Sequence, residues 1–196
     1  MQYWCAPIVA LLFSISAAFA GPLHDAAKQG DADQARQLLD QGAAVAEPDQ
    51  AGESALLIAA LAGHADVVAL LLDRGADIES HNKGGLTALH AAAYGGHVDV
   101  AQLLIERGAD VNATKNFYHM APMHAAAEEG HKEVVELLLA NGADIEAKER
   151  NGYTPLTQAG WRQYWDTASL LMKAGATCQP ADLVGDWLFE ECTKRQ

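Results

Sequence analysis

Thr87–Thr114, TALHAAAYGGHVDVAQLLIERGADVNAT, decides how the rest of the chain is read, because near-copies of it recur on both sides. The opening phrases are Gly21-Pro-Leu-His-Asp-Ala-Ala27, Ser54-Ala-Leu-Leu-Ile-Ala-Ala60, Thr87-Ala-Leu-His-Ala-Ala-Ala93, Ala121-Pro-Met-His-Ala-Ala-Ala127 and Thr154-Pro-Leu-Thr-Gln-Ala-Gly160. Their starts lie 33, 33, 34 and 33 residues apart. The closing phrases at Gly42, Gly75, Gly108, Gly142 and Gly175 keep the same spacing. Two independent markers with one period identify a stacked repeat.

Each copy spells a pair of helices. Ser54, Thr87 and Thr154 stand where a helix N-cap accepts from a free backbone N–H. Pro122 and Pro155 follow such positions, at the first helical residue, where a missing N–H does no harm. Alanine runs then allow close packing of a short first helix, and Gly63, Gly96 and Gly130 permit the turn. The second helix carries the apolar stripe: Val67, Val68 and Leu70–Leu72, then Val100 and Leu103–Ile105, then Val134, Val135 and Leu137–Leu139. Gly75, Gly108 and Gly142 end it. One pair cannot bury its own stripe, so the stack is the core.

These phrases resemble the signature T-P-L-H-x-A of the ankyrin repeat family, whose period is near 33 residues. The resemblance covers nearly all of residues 21–177 and implies an all-α solenoid of about five repeats: 21–50, 51–82, 83–115, 116–148 and 149–177. The first and last are degenerate, as capping units are. Lys28, Gln29, Asp33, Gln34 and Arg36 suit the first to contact with water. Residues 178–196 read as a capping segment, with Leu183, Val184, Trp187 and Leu188 on a short helix offered to the end of the stack.

Residues 1–20, MQYWCAPIVALLFSISAAFA, read as a secretory signal peptide with cleavage after Ala20, though no Lys or Arg precedes Lys28. The chain is therefore expected to be exported, periplasmic or secreted, with no membrane attachment after cleavage. The formal net charge is −13, all of it after residue 20; such a surface repels phosphate backbones and argues against nucleic acid. Two cysteines follow the leader. In an oxidising compartment Cys178 and Cys192 read as a disulfide, set against two reduced thiols without a role. A loop of that length contributes about 3 kcal/mol in the chain-entropy model.

Eight histidines raise the question of a metal. His24, His90 and His124 share one repeat position, and His64, His97 and His131 another. Equivalent positions on packed neighbours lie about 8–10 Å apart, whereas zinc needs ligands at about 2 Å. The family resemblance gives these histidines a structural role, linking turns and repeats. No nucleophile elbow, P-loop or dinucleotide fingerprint is present, and Glu128-Glu129 reads as a solvated helix face. Neither an enzyme nor a cofactor nor a metal is expected.

By the same resemblance, the working surface is the concave face built from turn tips and first helices. Mapped onto this chain, it carries Tyr94, Phe117, Tyr118, His119, Met120, Glu128, Glu129, Tyr153, Trp161 and Arg162. Large aromatics here mark a protein contact; the competing reading packs some of them, Trp161 first, against Trp165 and the C-terminal segment. The turn before repeat four is one residue longer, and His119 replaces the glycine seen as Gly52, Gly85 and Gly152. If the turn keeps its shape, His119 takes a left-handed conformation. The expected function is a monomeric, non-catalytic binder that scaffolds, stabilises or inhibits another protein. A secreted effector for a host protein is the alternative, and an enzyme or metal carrier a more distant one.

Overall fold

The computed structural model describes residues 21–195; the signal-peptide reading of residues 1–20 lies outside them. Helices pair along the chain: α1 (Pro22–Gln29) with α2 (Ala32–Asp40), α3 (Ala55–Ala62) with α4 (Ala65–Asp73), α5 (Ala88–Gly95) with α6 (Val98–Glu106), α7 (Pro122–Glu128) with α8 (Lys132–Ala140), and α9 (Pro155–Trp161) with α10 (Trp165–Lys173). The first helices of successive pairs pack in one row and the second helices in another. Among the described residues the structure is helical, with a single isolated bridge between His81 and Thr87.

Residue size explains the two rows. Ala59, Ala60, Ala91–Ala93 and Ala125–Ala127 are buried in the first row, where nothing larger fits between neighbours. The second row fills the space beneath with Val67, Val68, Leu71, Val100, Leu104, Val134, Val135 and Leu138. Ser54 Oγ accepts from Leu57 N at 3.2 Å and Thr154 Oγ1 from Thr157 N at 3.4 Å, which meets the capping expectation. At Thr87 the partner is a side chain: Thr87 N donates to His90 Nδ1 at 3.2 Å, and the hydroxyl lies 2.9 Å from the same nitrogen.

The histidines join repeats. His64, His97 and His131 place Nε2 against the carbonyls of Lys28, Leu61 and Tyr94 at 3.1, 2.9 and 2.9 Å. Gly96 illustrates why glycine precedes them: a Cβ there meets the His131 ring at 2.5 Å. In the last repeat Tyr164 takes the histidine position and packs on Gly130, while Thr167 Oγ1 donates to the Gly130 carbonyl at 3.0 Å.

The capping segment is two helices rather than one, α11 (Ala181–Val184) and α12 (Asp186–Thr193), separated by Gly185 at φ 86°. Val184, Leu188 and Cys192, four residues apart, face the stack and are buried. Leu183 and Trp187 fall one residue off that stripe and are exposed, contrary to the sequence expectation. Cys178 and Cys192 form a disulfide with Cα atoms 5.9 Å apart. It ties α12 to the end of the last repeat.

Candidate functional site

The turn tips are built first by a recurring acceptor. Asp49, Asn82, Asn116 and Glu149 occupy one position in successive repeats, and each side chain caps its own turn. Asp49 Oδ1 accepts from Glu53 N at 2.8 Å. Asn82 Oδ1 accepts from Gly84 N and Leu86 N at 2.9 and 3.0 Å. Asn116 Oδ1 accepts from Tyr118 N and Met120 N at 3.2 and 2.9 Å. Glu149 Oε1 accepts from Asn151 N and Tyr153 N at 2.8 and 3.2 Å. Sequence reasoning passed over this device, although the signal was there: an Asx or Glu side chain at a constant repeat position, four residues before each turn closes.

Buried histidines support the later turns from below. His90 Nε2 donates to the Met120 carbonyl at 2.9 Å, and His124 Nε2 to that of Tyr153 at 3.1 Å. Their Nδ1 atoms accept from Thr87 N and Ala121 N. Both rings are thus neutral, with the proton on Nε2. Burial is the main cause that pushes each pKa down to about 4.

On this frame the turn before repeat four is fixed at both sides. Phe117 N donates to the Gly84 carbonyl at 3.0 Å, and Arg150 N to the Tyr118 carbonyl at 2.7 Å, so three successive tips are stitched by backbone. His119 has φ 56°, the left-handed conformation expected of it, and is exposed. Phe117 is 62% exposed. Its ring meets Tyr118 edge-on at 4.9 Å, and the Arg150 guanidinium lies 4.8 Å from its centroid.

The first-helix residues separate into two further groups. Arg162 reaches back one repeat to Glu128 at 3.0 Å and Glu129 at 3.7 Å. Half-buried Tyr94 stands beside them. Burial raises its phenol pKa first, the charges of Glu129 and Glu128 raise it further, and Arg162 acts against them. Tyr153 and Trp161 meet edge-on at 4.3 Å, and Trp161 Nε1 donates to the Val184 carbonyl at 3.4 Å. Trp161 is therefore partly packed on the C-terminal segment.

Two candidates are displaced by these contacts. Met120 is buried, because the turn closes inward and its carbonyl accepts a hydrogen bond from His90 Nε2. Glu128 is buried rather than solvated, drawn in by Arg162. Phe117 and His119 remain exposed, while Tyr94, Tyr118, Glu129, Tyr153, Trp161 and Arg162 are partly so. Among the described residues no group of His, Cys, Asp and Glu is arranged to hold a metal ion, and no helix is long and apolar enough to cross a membrane.

Comparison with curated proteins gives no match. The family model described as "Ankyrin repeats (3 copies)" matches residues 23–115 and again 114–182. Two successive matches thus run through all five helix pairs and the histidine links between them, and the chain belongs to the ankyrin repeat family, a family of protein–protein interaction modules.

Proposed function

We propose that this chain is an exported, monomeric and non-catalytic binder that scaffolds, stabilises or inhibits a partner protein through the concave face of repeats three to five. The observation that carries the reading is Phe117. A phenylalanine left mostly in water costs solubility, yet here its backbone is bonded to the neighbouring turn and its ring is held between Tyr118 and Arg150. A rigid, exposed aromatic beside an arginine loses little conformational entropy on association and belongs to the side-chain types richest in binding energy.

Export is supported by the leader-like residues 1–20 and by the Cys178–Cys192 disulfide, which suits an oxidising compartment. The test is affinity capture of the processed chain from its own compartment, comparing wild type with the Tyr94→Ala/Phe117→Ala/Tyr118→Ala variant. Loss of specific partners with an unchanged melting curve supports the reading. Unchanged capture by a stably folded triple variant overturns it.

A further inference from the structure

The turn tips of repeats three to five, residues 82–86, 115–120 and 148–153, carry Lys83, Lys115, Lys148 and Arg150 against one carboxylate, Glu149, on a molecule that is acidic as a whole. The chain has a formal net charge of −13, and most of its cations are neutralised in place. Arg74 pairs with Asp40, Arg107 with Asp73, Lys132 with Glu136, and Arg162 with Glu128 and Glu129. Arg36 pairs with Asp33, and Lys194 and Arg195 with Glu191. Lys83, Lys115, Lys148 and Arg150 are exposed and in no ion pair among the described residues. All four stand on consecutive turn tips. Among the described residues, Lys28 and Lys173 are the other cations in no ion pair.

The neighbouring carboxylates do not cancel them by contact. Glu149 is buried and caps its own turn. At the base of the same hairpins Asp77, Asp110 and Asp144 accept from the amides of Glu79, Asn112 and Glu146, and Glu79 and Glu146 accept from those of Asp110 and Thr177, so these five carboxylates border the ridge without pairing with its cations. Lys83 donates to the Gln50 carbonyl, a neutral partner that leaves its charge in place. The sequence reverses sign at the tip before repeat two, which contributes Glu47, Asp49 and Glu53 and no cation of its own, and the Lys83 side chain reaches across to it from the ridge. Phe117 rises in the middle of the basic tips, under Arg150.

We infer that the tip ridge Lys83–Lys115–Lys148–Arg150, centred on Phe117, docks an acidic segment of a partner protein that carries an apolar side chain for Phe117. This rests on the binding-face reading above and adds the chemistry of what binds. Successive tips lie about 10 Å apart, so an extended segment with carboxylates every third or fourth residue meets one cation per repeat. Complementary charge steers encounter and sets specificity, while the aromatic supplies contact. A phosphate chain is disfavoured, because the acidic tip of repeat two and the acidic helices border the ridge on an anionic molecule.

The probes are three fluorescently labelled ligands of equal length: a Glu/Asp peptide with a central Trp, its Lys counterpart, and oligothymidylate. Anisotropy is expected to show binding of the acidic peptide only, weakening several-fold between about 0.02 and 0.2 M salt. Lys115→Glu/Lys148→Glu weakens it by about tenfold or more. Lys28→Glu/Lys173→Glu, which removes the two unpaired cations off the ridge, leaves it unchanged. Tighter binding of oligothymidylate, equal binding of the Lys peptide, an equal effect of the two double variants, or no peptide binding at all overturns the inference. A photocrosslinker at position 117 separates the two levels. Capture of a partner through a neutral or basic surface removes only the acidic-segment inference, whereas no crosslinked partner removes the binding-face reading as well.

Discussion

The turns entering repeats three and four share a frame and differ in what they display. Asn82 and Asn116 are both buried, both accept two backbone N–H groups, and both turns close through a residue at positive φ, Gly85 at 83° and His119 at 56°. Over that common frame, Lys83-Gly84-Gly85 becomes Phe117-Tyr118-His119. The fold is thus carried by the asparagine and the handedness of one residue, and the other tip positions are free to vary. Free variation is what a binding surface requires.

The sharpest way to break the comparison is at the shared acceptor. Asn116→Ala leaves Tyr118 N and Met120 N without their acceptor and removes the Nδ2 donor 2.6 Å from the Met120 carbonyl. Each orphaned buried group costs about 1–3 kcal/mol, so a loss of about 3–4 kcal/mol in denaturant unfolding is expected. Asn82→Ala should cost a similar amount. If Asn116→Ala is within about 1 kcal/mol of wild type, the turn is held by something other than its asparagine.

Acid distinguishes the two turns next. The turn of repeat four rests on His90 and that of repeat five on His124, whereas the equivalent residue below the turn of repeat three is Leu57. A histidine whose folded pKa lies near 4, against 6.5 unfolded, contributes stability that is complete above 6.5 and is lost as pH falls towards 4. The loss approaches about 3 kcal/mol for each ring. Glu53 acts in the opposite sense: burial, then the charge of Asp49, raises its pKa from 4.5 to about 7, so its contribution fades as pH rises through that interval. Glu53→Gln should therefore be more stable than wild type above pH 7 and equal to it below about 4.5. Hydrogen exchange during acidification should open Phe117–Met120 and Asn151–Tyr153 before Lys83–Leu86. Simultaneous opening of all three counts against a histidine cause.

The repeat period, the cap residues and the left-handed state of His119 were legible in the sequence because each is local or set by register. The roles of His90 and His131 came with the family resemblance and hold where the next repeat supplies the carbonyl; His24, at the position of His90, is buried with neither ring nitrogen bonded. What escaped is what one repeat does to the next without precedent in the others. Arg162 pulls Glu128 out of solvent from 34 positions away, and no other pair of repeats has that combination. Likewise Gly185 splits the C-terminal helix and turns Leu183 and Trp187 outwards, a rotation that composition does not reveal. A surface position in a repeat pattern specifies where a Cα lies, and the side chain then follows its neighbours.

The closing residue of each turn gives a smaller effect, graded by what surrounds it. Gly85→Ala places a Cβ 2.6 Å from Asn116 Cα and 3.0 Å from the Lys115 carbonyl, besides requiring a left-handed alanine. A loss of about 2 kcal/mol is expected. At Gly152, where an added Cβ meets nothing within 4 Å, the same change should cost only about 1 kcal/mol, the conformational part alone. His119→Gly relieves a left-handed histidine but frees the unfolded chain, so its change should stay within about 0.5 kcal/mol of zero. Equal costs at residues 85 and 152 would mean that crowding by the longer turn contributes nothing.

The smallest effect on stability is expected at the most conspicuous residue. Phe117 is 62% exposed, and its backbone bond to the Gly84 carbonyl does not depend on the side chain. Phe117→Ala should therefore change unfolding free energy by less than about 0.5 kcal/mol. For a partner that seats the ring the same variant should lose about 2 kcal/mol of binding, roughly thirtyfold in affinity. The two measurements together separate display from scaffold. A large stability loss means that the ring braces the turn against Tyr118 and Arg150, and the contrast with Lys83 is then one of packing. A large affinity loss at unchanged stability means that the tip position held by Lys83 in repeat three serves recognition in repeat four.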